Sequence, residues 1–227
     1  MIDTKSLKQI TIFQNLPEDS LQAAAALFRV KTFSKNEIIF HEEDTGHYMY
    51  FVKKGRIKVS RLLPNGKEMI LAFHESGEYF GEMALIDGKT SPATVTSITD
   101  TTIYVLDKHS FHSLLGEEAI NREILVNLCA RCRDAWAQIE VLTFHNAKAR
   151  ICTALYQLAE KRGVPSPEGI EIPVKITHKE MSDMVGVSRE TVTRVLSTLQ
   201  SEGTILIKSR KIFLPDPELL IEELLTF

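Results

Sequence analysis

The protein has 227 residues, of which 44% are hydrophobic and 25% charged, a composition that excludes a disordered or collagen-like chain and fits one large or two small domains. Its net charge of −3 does not by itself favour nucleic acid, and three cysteines, an odd number, argue against a disulfide framework. No apolar run is long enough to span a membrane, and the N-terminus lacks a signal-peptide pattern. We therefore expect a cytoplasmic protein without a membrane partner.

The charge is distributed unevenly along the chain. Residues 174–214 carry seven basic and four acidic side chains, whereas residues 215–227 carry four acids and no base. Residues 1–173 have 20 bases against 22 acids. Any contact with nucleic acid is therefore expected within residues 174–214.

The N-terminal half is predicted to pass from helix to strands. Residues 17–29 have the apolar spacing of a helix, with Pro17 in its first turn. From about residue 32 to residue 106, short β-rich runs alternate with glycine-containing turns, which is typical of an antiparallel barrel or sandwich. The best hairpin turn in this region is Asn65-Gly66.

A long helix is predicted from residue 121 to residue 145. Its apolar side chains recur in steps of three and four residues, at Leu125, Leu128, Cys132, Ala135, Ile139 and Leu142. Such a helix is about 37 Å long at about 1.5 Å per residue, longer than the flank of one small barrel. We interpret this seam as a parallel two-fold dimer interface, with packing on the protein's own barrel as the alternative.

Beyond the long helix, Asn146 is expected to cap a helix over residues 147–162, because its side chain can accept a hydrogen bond from an unpaired backbone N–H. Residues 163–169 are predicted to form a loop. The chain is accordingly divided into a sensor β-barrel domain, a dimerisation helix and a C-terminal domain, at residues 1–118, 119–145 and 146–227.

Residues 177–202 contain the motif that decides the function. Thr177 and Glu180 form a capping box that opens a short helix, and Gly186 provides a turn. Ser188 then caps a second helix. The inward stripe of this second helix consists of Val192, Val195, Leu196 and Leu199. The succession is typical of a helix-turn-helix.

The second helix has an outward polar face in its first two turns, formed by Arg189, Glu190, Thr193 and Arg194. In this motif these positions enter the major groove, where Arg donates two bonds to guanine and Glu accepts one from cytosine. The alternative is a solvated face in which Glu190 pairs with Arg194. Residues 205–214 follow as a predicted hairpin with a basic tip, which suits a wing resting on phosphates.

The barrel pattern, the long helix and the winged helix-turn-helix together resemble the CRP/FNR family of bacterial transcription regulators. The strongest part is residues 177–199, and the segment Gly77-Glu-Tyr-Phe-Gly-Glu-Met-Ala-Leu85 is also characteristic of the cyclic-nucleotide-binding fold. The resemblance covers essentially the whole chain. It implies an α+β fold with an N-terminal double-stranded β-helix of the jelly-roll type, a dimerisation helix and a C-terminal winged helix-turn-helix.

The resemblance also implies how DNA would be recognised. Arg189, Glu190 and Arg194 would read bases as in the CRP branch, at TGTGA-like half-sites in an inverted repeat, with the TTGAT-type site of the FNR branch as second choice. His178 would contact a phosphate, and Lys179 beside it could do the same. The remaining candidate DNA contacts are Ser188, Thr191 and Thr193 on the motif, and Lys208, Arg210 and Lys211 on the wing. The implied partners are double-stranded DNA, a second copy of the chain and RNA polymerase.

The barrel departs from the cyclic AMP site of the family. Where relatives place an Arg-Ser pair against the cyclic phosphate, this chain has Ser91-Pro92, which offers neither a charge nor, at Pro92, a backbone N–H. Lys89 reaching into the site is the alternative. Relatives read adenine with hydroxyl groups of the long helix, but the matching positions here are Ala135 and Trp136, which have none. Glu43 also replaces a glycine that is common in the family's barrel. Cyclic AMP is therefore not the expected effector.

A candidate effector pocket lies between the barrel and the long helix. It comprises Gly81, Glu82, Met83, Ser91, Pro92, Ala135 and Trp136. Glu82 could bond a sugar or act as a lid residue, and Trp136 either lines an apolar pocket or packs between barrel and helix. The cofactor stays unknown: haem is left open, but the first 128 residues contain no cysteine for an iron–sulfur cluster. An effector-independent regulator and a cyclic-nucleotide regulator with an unusual phosphate site are the alternatives.

The cysteines permit further chemistry. Cys129 and Cys132 are three residues apart on the predicted dimer helix, where buried apolar packing is the default. A redox disulfide between chains and a tetrathiolate metal site are the alternatives. Cys152 is expected to pack in a core. The seven histidines show no metal-binding spacing, and no metal is expected.

Two other function classes are disfavoured. An enzyme would need a nucleophile elbow, a phosphate loop or a paired His/carboxylate motif, and none occurs in the sequence. A cyclic-nucleotide-binding subunit of another protein would not need a helix-turn-helix. The leading hypothesis is a homodimeric DNA-binding regulator. In it, an effector or redox signal at the junction of barrel and helix biases the spacing of two recognition helices, which must be about 34 Å apart.

Overall fold

The computed structural model describes residues 2–144, 146–173, 176–209 and 211–225, without the side chains of residues 140–144 and 222–225. The chain divides into two compact units, Met1–Arg131 and Cys132–Phe227. Within the described ranges, no helix combines the length and the apolar character needed to cross a membrane.

The first unit is a two-sheet β-structure flanked by helices. Its N-terminal part contains α1 (Thr4–Leu7), a 3-10 turn (Thr11–Phe13) and α2 (Glu18–Ala25). Its strands are β1 (Arg29–Phe33), β2 (Ile38–Phe40), β3 (Tyr48–Lys54), β4 (Arg56–Leu62), β5 (Glu68–Glu75), β6 (Tyr79–Phe80), β7 (Thr94–Ser97) and β8 (Thr101–Asp107). The other helices are α3 (Glu82–Asp87), α4 (Lys108–Leu114) and α5 (Glu118–Phe144), the last of which continues into the second unit.

The strands form two antiparallel four-stranded sheets, in the orders β1-β8-β3-β6 and β2-β7-β4-β5. One core contains inward side chains of both sheets, including Val52, Ile57 and Val105. The other contains alternate residues of β3 and β8, such as Phe51 and Tyr104, together with residues of the N-terminal helices. The predicted α+β fold with a jelly-roll barrel is confirmed, and Asn65-Gly66 lies in the turn between β4 and β5 as predicted.

The N-terminal helix is shorter than the sequence predicts. α2 ends at Ala25, Pro17 is its N-cap rather than a residue of its first turn, and Arg29 already begins β1. The prediction of a helix over residues 17–29 is therefore wrong at its C-terminal end, because the pairing of β1 with β8 overrides the helical spacing. α1 and the 3-10 turn were not predicted, although Leu7 and Phe13 are fully buried.

The second unit contains the end of α5 and a small sheet surrounded by helices. Its further helices are α6 (Ala147–Arg162), α7 (His178–Val185), α8 (Arg189–Ser201) and α9 (Glu218–Leu225). Its strands are β9 (Val164–Ser166), β10 (Gly169–Ile172), β11 (Leu206–Lys208) and β12 (Lys211–Leu214), in the order β11-β12-β10-β9. The core joins α6, α7 and α8 through buried side chains such as Leu155, Met181 and Leu196.

Two local predictions in this unit have different outcomes. Asn146 caps α6 by accepting a 3.0 Å hydrogen bond from the backbone N–H of Ala149, as expected. The predicted loop over residues 163–169 is wrong, because β9 and β10 form a hairpin there. β9 tolerates Pro165 because it is an edge strand, where a missing N–H costs no ladder bond.

Candidate nucleic-acid interface and ligand pockets

The helix-turn-helix contains the capping box, the glycine turn and the serine cap that the sequence predicts. The side chain of Thr177 accepts a 3.1 Å bond from the N–H of Glu180, and the Glu180 carboxylate accepts a 2.7 Å bond from the N–H of Thr177. Gly186 ends α7 with a positive φ of 68°. Ser188 caps α8 by accepting a 3.1 Å bond from the N–H of Thr191. These bonds fix where α8 begins.

The two faces of α8 have opposite character. Its inward side chains are buried in the core of the second unit, as predicted, and are Val192, Val195, Leu196 and Leu199. The opposite face is exposed and consists of Arg189, Glu190, Thr193 and Arg194. Among the described residues, no ion pair joins Glu190 to Arg194, so this solvated face does not contain the pair that the alternative requires. A partner that binds Arg194 would therefore not have to break an ion pair with Glu190.

The carboxylate of Glu190 is prepared as a hydrogen-bond acceptor. The backbone N–H of Glu190 itself, the hydroxyl of Ser188 and the charge of Arg189 lower its pKa. The group is exposed at the first turn of α8, where unpaired N–H groups favour a negative charge. It therefore stays ionised at neutral pH and can accept a hydrogen bond from an exocyclic amine.

His178 connects the two helices of the motif. Its Nδ1 lies 2.8 Å from the hydroxyl oxygen of Thr193, and this hydroxyl is 3.0 Å from the carbonyl oxygen of Arg189. Thr193 is thus tied to the start of α7 and to its own helix. Its hydroxyl has fewer free bonding positions for a base than its exposure alone indicates.

The three lysines predicted to contact phosphates already form ion pairs within the protein. Lys211 Nζ lies 2.6 Å from a carboxylate oxygen of Glu171, and Lys208 Nζ lies 3.3 Å from one of Glu168. Glu168 lies in the turn of the β9–β10 hairpin, and Glu171 lies in β10 itself. The third lysine, Lys179, forms an ion pair with Asp183, four residues further along α7. Arg210, the other predicted wing contact, lies outside the described residues.

A small pocket in the first unit contains five of the predicted effector residues. This Glu82 pocket, about 80 Å³ in volume, is bordered by Phe40, Phe80 and Arg131 as well as by Gly81, Glu82, Met83, Ser91 and Pro92. The other two predicted residues, Ala135 and Trp136, belong to the second unit and are exposed. Trp136 is 67% exposed in the single chain.

Arg131 of α5 is the partner of the buried carboxylate in the Glu82 pocket. Its guanidinium donates a 2.6 Å bond to Glu82 Oε1 and a 2.6 Å bond to the carbonyl oxygen of Tyr79. Glu82 is 1% exposed, and its Oε2 has no hydrogen-bond partner among the described residues. Arg131 was not predicted as a site residue, because no local pattern pairs it with a residue 49 positions earlier in the chain.

The segment Ser91-Pro92 is tied to a neighbouring loop through its backbone. The N–H of Ser91 donates to the carbonyl of Asp44 at 2.9 Å, and the N–H of Glu43 donates to the carbonyl of Ser91 at 2.8 Å. Glu43 has a φ of 69°, in the left-handed region that glycine adopts without strain. A glycine would therefore suit position 43. Because the N–H of Ser91 already donates to Asp44, it is not left for a ligand.

A larger cavity of the first unit was not predicted. This Tyr48 cavity, about 400 Å³ in volume, is lined by aromatic, charged and small residues. Those that define its chemistry are Lys31, Phe40, Asp44, His47, Tyr48 and Tyr50. They come from β1, β2, β3 and the segment between β2 and β3, so only the folded sheets bring them together.

The predicted dimer seam is exposed along most of its length. Leu125 and Ile139 are 58% and 61% exposed, and Cys132 and Ala135 are exposed as well. Leu128 packs against the first unit's core, and the side chain of Leu142 lies outside the described set. An apolar stripe of this kind on one chain is available for a partner helix.

The cysteines differ in their exposure within the single chain. Cys129 and Cys132 are exposed on α5, whereas Cys152 is buried in the second unit's core as expected. Within the described ranges, no group of His, Cys, Asp and Glu side chains could hold a metal ion.

Comparison with known proteins agrees with this architecture. Residues 30–118 match the model of the cyclic nucleotide-binding domain, and residues 149–223 match that of the Crp-like helix-turn-helix domain. A cyclic AMP receptor protein of Thermus thermophilus is 30% identical, covering 88% of this chain and 89% of that protein. This chain belongs to the CRP/FNR family of transcription regulators.

Other members of the family show the same agreement over nearly the whole chain. A global nitrogen regulator of Synechocystis is 28% identical, covering 92% of this chain and 98% of that protein. The structure of a mutant of CooA from Carboxydothermus hydrogenoformans matches with a TM-score of 0.77 at 26% identity, covering 87% of this chain and 88% of that one. The family is one of DNA-binding regulators, which agrees with the exposed face of α8.

Proposed function

We propose that this member of the CRP/FNR family acts in the cytoplasm as a homodimer on an inverted repeat of TGTGA-like half-sites. The observation that carries the proposal is the exposed face of α8, where Arg189, Glu190 and Arg194 lie in the first two turns after the Ser188 cap and, in the part of the chain that the structure describes, no ion pair joins Glu190 to Arg194. Two guanidinium groups and one ionised carboxylate suit guanine and cytosine edges in the major groove.

The homodimer is supported by the exposed apolar stripe of α5. Pairing Leu125, Cys132 and Ile139 with the same residues of a second chain would remove this surface from water. A two-fold axis along α5 would also supply two copies of α8, one for each half-site, as an inverted repeat requires. RNA polymerase is the further proposed partner, because regulators that act at the start of transcription contact it.

The effector is proposed to be something other than cyclic AMP. The residues of the Glu82 pocket fit a cyclic nucleotide poorly, since Ser91 and Pro92 provide no charge for a phosphate and the one guanidinium, Arg131, is bonded to Glu82. The volume of about 80 Å³ is also below the roughly 300 Å³ of ordinary ligand pockets. An effector-independent regulator is the alternative, in which the Glu82–Arg131 bond is permanent.

A signal can pass from the barrel to α5 through that bond. Glu82 begins α3 directly after Gly81, and Arg131 belongs to α5, so a ligand that draws Glu82 away would remove one of the two hydrogen bonds that the Arg131 guanidinium makes to the barrel. A redox signal is a second route, because Cys129 and Cys132 are exposed on α5: a disulfide formed between thiols of the two chains would pass two electrons and two protons to a cellular oxidant and link the two helices.

Replacing Arg194 tests the proposed base reading. Arg194→Ala should lower affinity for the TGTGA inverted repeat by about 1–3 kcal/mol for each base pair that Arg194 reads, while affinity for a scrambled duplex stays unchanged. Lys211→Ala is the matched control on the wing. It should weaken both duplexes alike and flatten the dependence on salt. The measurement is fluorescence anisotropy over a salt series, and equal reductions for both variants on both duplexes would show that the assignment of base reader and phosphate anchor is wrong.

A further inference from the structure

The Tyr48 cavity has the size of a ligand site, whereas the Glu82 pocket does not. Its volume of about 400 Å³ falls within the range of roughly 300–1,000 Å³ that small-molecule sites occupy. The two volumes adjoin, because Phe40, Gly81 and Ser91 border both. A molecule in the Tyr48 cavity would therefore touch the residue that immediately precedes Glu82.

The walls of the Tyr48 cavity are aromatic and mutually supported. The ring of Tyr50 lies 5.3 Å from that of Phe40 and 6.3 Å from that of Tyr48, measured between centroids. Tyr50 also stacks on Phe80 at 5.0 Å with an interplanar angle of 6°. A Cβ at Gly81 would lie 2.9 Å from the Tyr50 ring, so glycine is needed for this packing. Such a fixed surface suits a flat aromatic ligand.

Two charges of opposite sign border the same cavity. Lys31 Nζ lies 5.0 Å from the centre of the Tyr48 ring, and no carboxylate pairs with it among the described residues. Asp44 uses Oδ2 to accept a 2.7 Å bond from the N–H of His41, and Oδ1 has no bond within the described part of the chain. A ligand anion can therefore pair with Lys31, and a ligand cation with Asp44.

The other titratable groups of the cavity do not cancel these charges. Burial, and to a lesser extent Tyr48 and Asp44, raise the pKa of Tyr50 to about 12, so its phenol stays neutral. His47 is exposed at the rim, with its ring 6.4 Å from that of Tyr48. The cavity thus combines an aromatic wall with one cation and one anion.

We propose that the Tyr48 cavity binds a small aromatic zwitterion of the amino-acid class. The aromatic ring lies against Tyr48 and Tyr50, the carboxylate pairs with Lys31, and the ammonium pairs with Asp44. That this ligand is the effector rests on the proposed function, but its binding does not require DNA. The ligand would contact Phe40 and Gly81, which also border the Glu82 pocket, and through them it would act on the Glu82–Arg131 bond.

Isothermal titration calorimetry on the full chain without DNA tests the site, with three indole probes of one shape. L-tryptophan carries both charges, indole-3-propionate lacks the ammonium and tryptamine lacks the carboxylate. L-tryptophan should bind once per chain, at least about tenfold more tightly than either analogue, since a charged hydrogen bond contributes about 1.5–3 kcal/mol. Three indistinguishable isotherms, or no heat with any probe, would overturn the proposal.

Variants separate the two charges. Asp44→Asn keeps an oxygen for the N–H of His41, and it should weaken L-tryptophan about tenfold or more while leaving indole-3-propionate unchanged. Lys31→Ala should weaken L-tryptophan and indole-3-propionate but not tryptamine. Lys35→Ala, an exposed lysine that does not line the cavity, is the control and should change nothing. L-tryptophan binding that is insensitive to both Asp44→Asn and Lys31→Ala would refute the site, and DNA binding would be untouched by that result.

Discussion

Leu125→Asp is expected to convert the protein from a dimer to a monomer and to abolish tight binding to the inverted repeat. Leu125 is 58% exposed in the single chain and lies on the α5 stripe. Burying one leucine contributes about 1.5–3 kcal/mol, and two-fold symmetry doubles this to about 3–6 kcal/mol. The dimer dissociation constant should rise by about 100-fold or more, and the two carboxylates facing each other would add repulsion.

The neighbouring residue provides the control for this experiment. Val126 is 54% exposed on the same helix, but it is one position off the three-and-four spacing of the stripe. Val126→Asp should leave both the molecular mass measured by light scattering and the affinity for the operator unchanged. A monomeric Val126→Asp together with a dimeric Leu125→Asp would mean that α5 pairs through a different face.

Arg131→Met is expected to cost about 3–5 kcal/mol of unfolding free energy. The change leaves the carboxylate of Glu82, which is 1% exposed, without the guanidinium that bonds its Oε1. An ion buried without its partner is far more destabilising than the pair is stabilising. The double variant Arg131→Met with Glu82→Gln removes the charge itself, and it should recover much of the stability in urea denaturation.

An exposed pair of similar length serves as the comparison. Lys161 and Asp134 are 2.6 Å apart with side chains 59% and 61% exposed. Lys161→Met should therefore cost no more than about 1 kcal/mol. If Arg131→Met is equally mild, Glu82 is reached by water and the proposed link between the barrel and α5 does not hold.

The sequence predicted best those features that depend on neighbours along the chain. The capping box of Thr177 and Glu180, the turn at Gly186 and the cap at Ser188 each involve residues at most a few positions apart, and all are present. The inward stripe of α8 was equally predictable, because helical periodicity alone determines which side chains share a face. The exposed polar face with Arg189, Glu190 and Arg194 follows from the same geometry.

Features that depend on distant residues were missed. Arg131 and Glu82 are 49 positions apart, and no local pattern pairs them. The Tyr48 cavity requires three strands to assemble before Lys31 faces Tyr48. The predicted helix over residues 17–29 included Arg29, the first residue of β1, because the strand that pairs with β1, β8, lies more than 65 residues further along the chain. Periodicity reports which face of an element is apolar, but not what the element will pack against.

The ion pairs of the wing have a consequence for how the protein searches a genome. In the free protein, Lys208 and Lys211 are already neutralised by Glu168 and Glu171 of the adjacent hairpin. If the wing contacts phosphates as proposed, docking must first break these pairs and then hold two carboxylates near the polyanion, which weakens binding at every position equally. Because a chromosome offers about 10⁶ or more competing positions, weakening all of them together shortens unproductive residence and leaves discrimination to the base edges.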